Sequence, residues 1–154
     1  MSLLKSFSAF IFSILILAGC SSTAVVSPEV YSEISKIGIS IDKGRAEQLY
    51  RQELQRMISR NGLQDQEYRL SSQISSSVGD NNMVMTVQFE LYDQSEGEAI
   101  LSHSFTSSAS IGAVSSSFGS AQAENHAEER LSLSLAQKTY GHLMLFFSQR
   151  DNDQ

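Results

Sequence analysis

His103, His126 and His142 are the side chains of this chain whose ordinary pKa lies nearest neutrality. To transfer a proton each would need a nucleophile or an acidic partner within reach. Serine is abundant, yet no Gly-x-Ser-x-Gly context occurs, and no histidine has an acidic partner at a recognised spacing. His103 falls in a strand pattern and His142 in a helical one, so both read as packing residues. His126 sits among Glu124, Glu128 and Glu129. Asn125, His126 and Glu129 could approach a metal, but an exposed polar helix face is the better reading. No Gly-x-x-x-x-Gly-Lys-[Ser/Thr] or Gly-x-Gly-x-x-Gly run is present. The stretch Gly79-Asp80-Asn81-Asn82 offers oxygen ligands without the spacing of a calcium loop. The expectation is a protein that is not an enzyme and carries no cofactor or metal.

Binding chemistry is better represented. Lys43, Arg45, Arg51, Arg56 and Arg60 fall in or beside one helical segment, and Arg69 follows Tyr68 at the start of a strand. Arg45, Arg51, Arg56 and Arg69 are candidates for the phosphate or carboxylate groups of an anionic lipid or a partner. The alternative is a solvated helix face. The chain as a whole has 11 Lys and Arg against 17 Asp and Glu, a net charge of −6. Such a balance argues against nucleic-acid binding, which leaves a basic footprint.

The single cysteine, Cys20, excludes an intrachain disulfide framework and any Cys-x-x-Cys site. It closes an unusual beginning. One lysine, Lys5, precedes an apolar run over Phe7–Leu17. Such a run is too short for a bilayer, which needs about 20 residues, and fits the core of a secretory signal. It ends in Leu17-Ala18-Gly19-Cys20, which looks like a bacterial lipobox. In lipoproteins of that type the thiol receives a diacylglyceryl group, cleavage precedes the cysteine, and the new amine is acylated. Two or more lipid attachments hold a protein stably at a membrane. Ser21, rather than Asp, after Cys20 looks like outer-membrane sorting.

Length and composition allow one domain: 154 residues, 41% hydrophobic, with one proline and no tryptophan. Residues 1–19 read as the lipoprotein signal and 20–32 as a lipidated flexible tether. Residues 33–149 read as an α+β domain and 150–154 as a frayed tail. Within the domain, Glu33–Asp42 alternates with Ile37, Ile39 and Ile41 on one side, predicting a strand. Lys43–Arg60 changes to helical period, with Asp42 as N-cap and Asn61-Gly62 as stop. Three strands follow, Tyr68–Val78, Met83–Tyr92 and Ile100–Ser108, joined by Gly-, Asp- and Asn-rich turns. Ala109–Gly119 reads as a loop and Ser120–Phe147 as a long helix. The expected fold is a four-stranded mixed sheet, in the order strand-helix-strand-strand-strand-helix, with two helices packed on one face. The other face carries Ser71, Gln73, Thr86, Gln88, Ser102 and Ser104. It is too polar for burial against a helix layer. It should meet water or a hydrated partner, such as the polar lumen of a transmembrane barrel.

In order and spacing these pieces resemble the LPS-assembly lipoprotein family, LptE, in its short alphaproteobacterial form. The resemblance rests on the Leu17–Cys20 lipobox, the strand at Ile34–Ile41 and the helix Gly44-Arg45-Ala46-Glu47-Gln48-Leu49-Tyr50-Arg51-Gln52-Glu53-Leu54. It continues in Tyr68-Arg69-Leu70, in Phe89-Glu90-Leu91-Tyr92-Asp93, and in an Ala-rich helix through Ala121, Ala123 and Ala127. The family's aromatic stretch after the lipidated cysteine is replaced here by Ser21-Ser22-Thr23-Ala24-Val25-Val26. The resemblance implies an outer-membrane lipoprotein that plugs the barrel LptD, assists its assembly and helps deliver lipopolysaccharide to the outer leaflet. Two other roles stay open: the auxiliary lipoprotein of an ABC-type lipid transport system, and a structural lipoprotein without cargo.

Overall fold

The computed structural model describes residues 27–40, 43–59, 65–112 and 116–152. Cys20, the apolar leader, Ile41, Asp42, Arg60 and Asn61-Gly62 lie outside the described residues.

The chain enters as a helix, α1 (Pro28–Ser35), where the sequence pattern led us to expect tether and then strand. The local reasons are all present. The Ser27 hydroxyl accepts from the Val30 N–H, Pro28 occupies the first turn, and Glu29 sits where the helix dipole favours an acid. Val30 and Ile34, one turn apart, are both buried. The strand expected over Glu33–Asp42 is therefore reduced to β1 (Ile37–Ile39), with Glu33–Ser35 helical. α2 (Arg45–Ile58) buries Ala46, Tyr50, Leu54 and Ile58, a stripe at spacings of four. Gly44 stands at its N-cap without a side-chain bond.

Three long strands follow: β2 (Tyr68–Val78), β3 (Asn82–Asp93) and β4 (Ala99–Ser110). The β2–β3 turn closes with the Gly79 N–H donating to the Asn82 carbonyl at 2.8 Å. The β3–β4 turn uses Gly97 at φ 73°, a left-handed conformation that glycine adopts without steric cost. The last helix, α3 (Ser117–Asn152), is longer at both ends than its apolar stripe predicts. Arg150 and Asp151 are helical and not part of a frayed end. Docking explains the extension: the Ser27 hydroxyl donates to the Asp151 carboxylate at 3.2 Å, tying α1 to the end of α3.

The sheet order is β1-β2-β3-β4. β1 runs parallel to β2, with Ile37 opposite Tyr68 and Ile39 opposite Leu70. β2, β3 and β4 form the expected antiparallel meander, with Leu70 opposite Leu91 and Phe89 opposite His103. The sheet is thus mixed, and the fold is α+β as the sequence indicated. α2 and α3 cover one face; α1 adds a third helix against α3. The core lies in that layer, where Leu70, Met85, Val87, Phe89 and Leu91 of the sheet meet Leu54 of α2 and Leu131, Leu135 and Leu143 of α3. Each side chain of this kind contributes about 1.5–3 kcal/mol by leaving water.

Two buried or half-buried tyrosines of this layer have hydrogen-bond partners. The Tyr50 hydroxyl donates to Thr139 Oγ1 at 3.0 Å, and burial pushes the Tyr50 phenol pKa far up. The Tyr68 hydroxyl donates to the Glu33 carboxylate at 2.8 Å, and the Tyr68 ring meets Phe147 edge-on at 5.2 Å. Lys36 bridges Glu33 at 2.8 Å and Glu67 at 3.1 Å, closing a network that joins α1, β1 and β2.

Candidate partner-binding surface

Side chains alternate across a strand, so the residues between the core positions share the outer face of the sheet. On β2 these are Ser71, Gln73, Ser75 and Ser77; on β3, Val84, Thr86, Gln88 and Glu90. On β4 the register brings Ser102, Ser104, Thr106 and Ser108 opposite the β3 set. α2 and α3 lie against the opposite face, and Gln73, Gln88, Ser102 and Ser104 are exposed. The sequence expected an uncovered polar face, and no described element packs over this one.

Hydroxyls and amides dominate this surface. Thr86 and Thr106 share a hydrogen bond between Oγ1 atoms at 2.9 Å. Ser71, Gln73, Gln88, Glu90, Ser102 and Ser104 line a shallow depression of about 530 Å³ that crosses three strands. Each hydroxyl both donates and accepts, so away from Glu90 and Arg69 the face can pair with a hydrated surface without desolvating a charge.

Among the described residues, the charges of this face are gathered at one end. The Arg69 guanidinium sits 5.1 Å from the centre of the Tyr92 ring. The Tyr92 hydroxyl donates to the Glu90 carboxylate, and that bond raises the phenol pKa. Such an exposed cation–π contact contributes about 0.5–1 kcal/mol.

The other arginines do not join Arg69. α2 lies on the opposite side of the sheet, and its cations are largely engaged there. Arg45 reaches α3, bonding Asn125 and approaching Glu128 at 3.4 Å. Arg56 makes two bonds to Glu53, at 2.6 and 2.8 Å, which hold the Glu53 carboxyl below its usual range. Arg51 is half-buried, and its Nε has no hydrogen-bond partner among the described residues. Of the cluster legible in the sequence, Arg45 and Arg56 are paired within the chain on the helix side, and Arg69 stands apart on the open face.

His103 and His142 make ring contacts, as their strand and helix patterns suggested, and His126 lies on an exposed helix face. His103 and His142 stack on each other, against Phe89 and Phe105. His126 bonds Gln122 at 3.0 Å on the exposed side of α3. Among the described residues there is no group of three or more His, Cys, Asp or Glu placed to hold a metal. No described helix is long and apolar enough to cross a membrane.

What the sequence reading missed is α1 and its tie to Asp151. The signal was available: Ser27-Pro28-Glu29 is a helix start, and Val30 and Ile34 are spaced as a helix face.

No family model and no curated protein matches the chain. Solved structures do. A candidate lipoprotein from Caulobacter crescentus CB15 superposes with a TM-score of 0.67 at 19% identity, over 79% of this chain and 97% of that one. A minor lipoprotein from Acinetobacter baumannii superposes with a TM-score of 0.53 at 15% identity, over 71% of this chain and 88% of that one. At these identities the likeness establishes a common fold.

Proposed function

We propose that this chain is a lipid-anchored lipoprotein of the outer membrane, facing the periplasm, whose open sheet face docks in the polar lumen of the barrel LptD. There it acts as a plug, assists barrel assembly and helps pass lipopolysaccharide to the outer leaflet. The observation that carries the reading is the uncovered, hydroxyl-rich face of the sheet, lined by Ser71, Gln73, Gln88, Ser102 and Ser104. A barrel interior is polar and hydrated, and a neutral hydrogen-bonding surface fits it at little desolvation cost. The lipobox at Leu17–Cys20 supports the anchor, with diacylglyceryl and N-acyl chains on Cys20. The shared fold with two lipoproteins is consistent with the same kind of molecule. On this reading Arg69, beside Tyr92, is the cation of the face available to an anionic group of lipid or partner.

A mild-detergent pull-down of the tagged full chain, with co-purifying bands identified by mass, tests it. A stoichiometric outer-membrane barrel is the expected result. An inner-membrane transporter in its place moves the role to the auxiliary component of an ABC-type lipid transport system. Recovery of the chain alone leaves a structural lipoprotein without cargo.

A further inference from the structure

β2 is paired along its whole length with β3, but β1 covers only Tyr68–Leu70 on its other side. The Tyr68 N–H donates to the Lys36 carbonyl and the Leu70 carbonyl accepts from Ser40, so even-numbered residues of β2 aim their backbone groups away from β3. By the same alternation Ser72, Ile74, Ser76 and Val78 aim N–H and C=O outward, and no described residue pairs with them. Among the described residues this is an open strand edge, which natural sheets usually blunt with lysine, proline, a bulge or a covering segment. The far edge of this sheet is blunted in that way. Lys138 Nζ donates to the Thr106 carbonyl at 3.3 Å and Ser107 Oγ at 2.7 Å, and Arg130 donates to the Ser110 carbonyl at 3.3 Å. From Ser71 to Val78 there is no charge and no proline, and the β2–β3 register is unbroken.

We propose that this edge is closed by the same edge of a second copy of the chain, as a two-fold antiparallel pair centred on Ser75. The segment suits its own copy. A two-fold pair sets each residue against another of the same segment and brings any charge close to its own symmetry mate; from Ser71 to Val78 there is none. With Ser75 on the axis, Ile74 lies opposite the partner's Ser76, and Val78 lies opposite the partner's Ser72. One bulky side chain meets one small one at each step, on the helix side of both sheets. Val78, 53% exposed in the single chain, gains a neighbour. The outward residues face one another and exchange main-chain hydrogen bonds, joining two four-stranded sheets into one. The pairing needs neither lipid nor barrel and describes the chain free of its partner, so it stands or falls separately from the plug role.

The test is light scattering of the purified full chain over a concentration series, for the natural sequence, Ser76→Pro and Ser76→Lys. Proline at 76 removes only an outward N–H and leaves the β2–β3 ladder intact; lysine at 76 keeps the N–H and adds a repelling charge. The natural chain should pass from one to two chain masses, a twofold rise, while both variants stay at one. Ser75→Cys should form a disulfide-linked pair under mild oxidation, because facing residues of a non-hydrogen-bonded antiparallel pair lie within disulfide reach. The natural chain, with Cys20 alone, is the control. A single-chain mass throughout the series overturns the proposal and leaves the edge to a strand of another protein. A two-chain mass that survives both substitutions at Ser76 also overturns it, by placing the contact elsewhere.

Discussion

The imidazole rings of His103 and His142 lie face to face, 4.2 Å between centroids and 28° between planes, and join the edge strand β4 to the middle of α3. Phe105 meets both rings edge-on, at 4.7 and 5.6 Å. Burial, and then the charge that His103 would carry, lower the His142 pKa from 6.5. Partial burial opposes a charge on His142, and beside a charged His103 a proton there would set cation against cation.

The sign of the pH dependence follows. His142 binds its proton less readily in the folded chain than in the unfolded one, so the unfolded state gains protons first as pH falls. Stability is therefore full above about 6.5, the unfolded value, and declines as pH falls towards the lower folded value. His142→Phe keeps a ring in the stack and removes the titration. Urea midpoints measured from pH 8 down to pH 5, as about three pH units of range, should fall for the natural chain and flatten for the variant. Equal slopes would show that the pair does not report pH.

Tyr50 and Thr139 make the buried hydroxyl pair between α2 and α3. Tyr50→Phe removes the donor and leaves the ring in place. The expected loss is about 1 kcal/mol, read as a lower denaturant midpoint. An unchanged midpoint would mean that Thr139 is satisfied equally well by its own helix.

Gly141 lies in the exposed middle of α3, and a Cβ built there meets nothing within 4 Å. Gly141→Ala should stabilise the chain by about 0.5–1 kcal/mol, through the higher helix propensity of alanine. A loss of stability would indicate that the glycine serves a partner that approaches the helix backbone.

On the open face, Gln88→Glu and Ser104→Glu add charge beside Glu90 at exposed positions. Surface changes of this kind stay within about 0.5 kcal/mol in stability. If the face docks in a barrel lumen as proposed, recovery of the barrel in the pull-down should nevertheless drop, because the lumen would have to desolvate new carboxylates. Full recovery with the double variant would move the docking surface off this sheet.

On the lipobox reading, Cys20→Ala removes the thiol that is lipidated. The variant should take up no labelled palmitate and should leave the membrane fraction. Palmitate still attached to it would reject the lipobox reading.

The sequence by itself determined the elements whose pattern is periodic over many residues. Alternation in Met83–Tyr92 and a four-residue stripe from Ala46 to Ile58 each commit one face to the core, and no other conformation buries those residues together. The polar face of the sheet was legible for the same reason: Gln73, Gln88 and Ser104 fall between core positions and cannot be buried. Only the tertiary structure decided the short and the paired features. Three residues of β1 are too few to carry a period, and its parallel place beside Tyr68–Leu70 follows from the turn of α2 back onto the sheet. α1 holds as a helix because Val30 and Ile34 find the core and Ser27 finds Asp151. The arginines of α2 read as one basic patch along the chain. In space Arg45 is matched to Asn125 and Glu128, which α3 brings to the same helix side, while Arg56 is matched to Glu53 one turn earlier in its own helix. Charge is a property of residue type, but whether a charge is free depends on what the fold sets within about 4 Å of it.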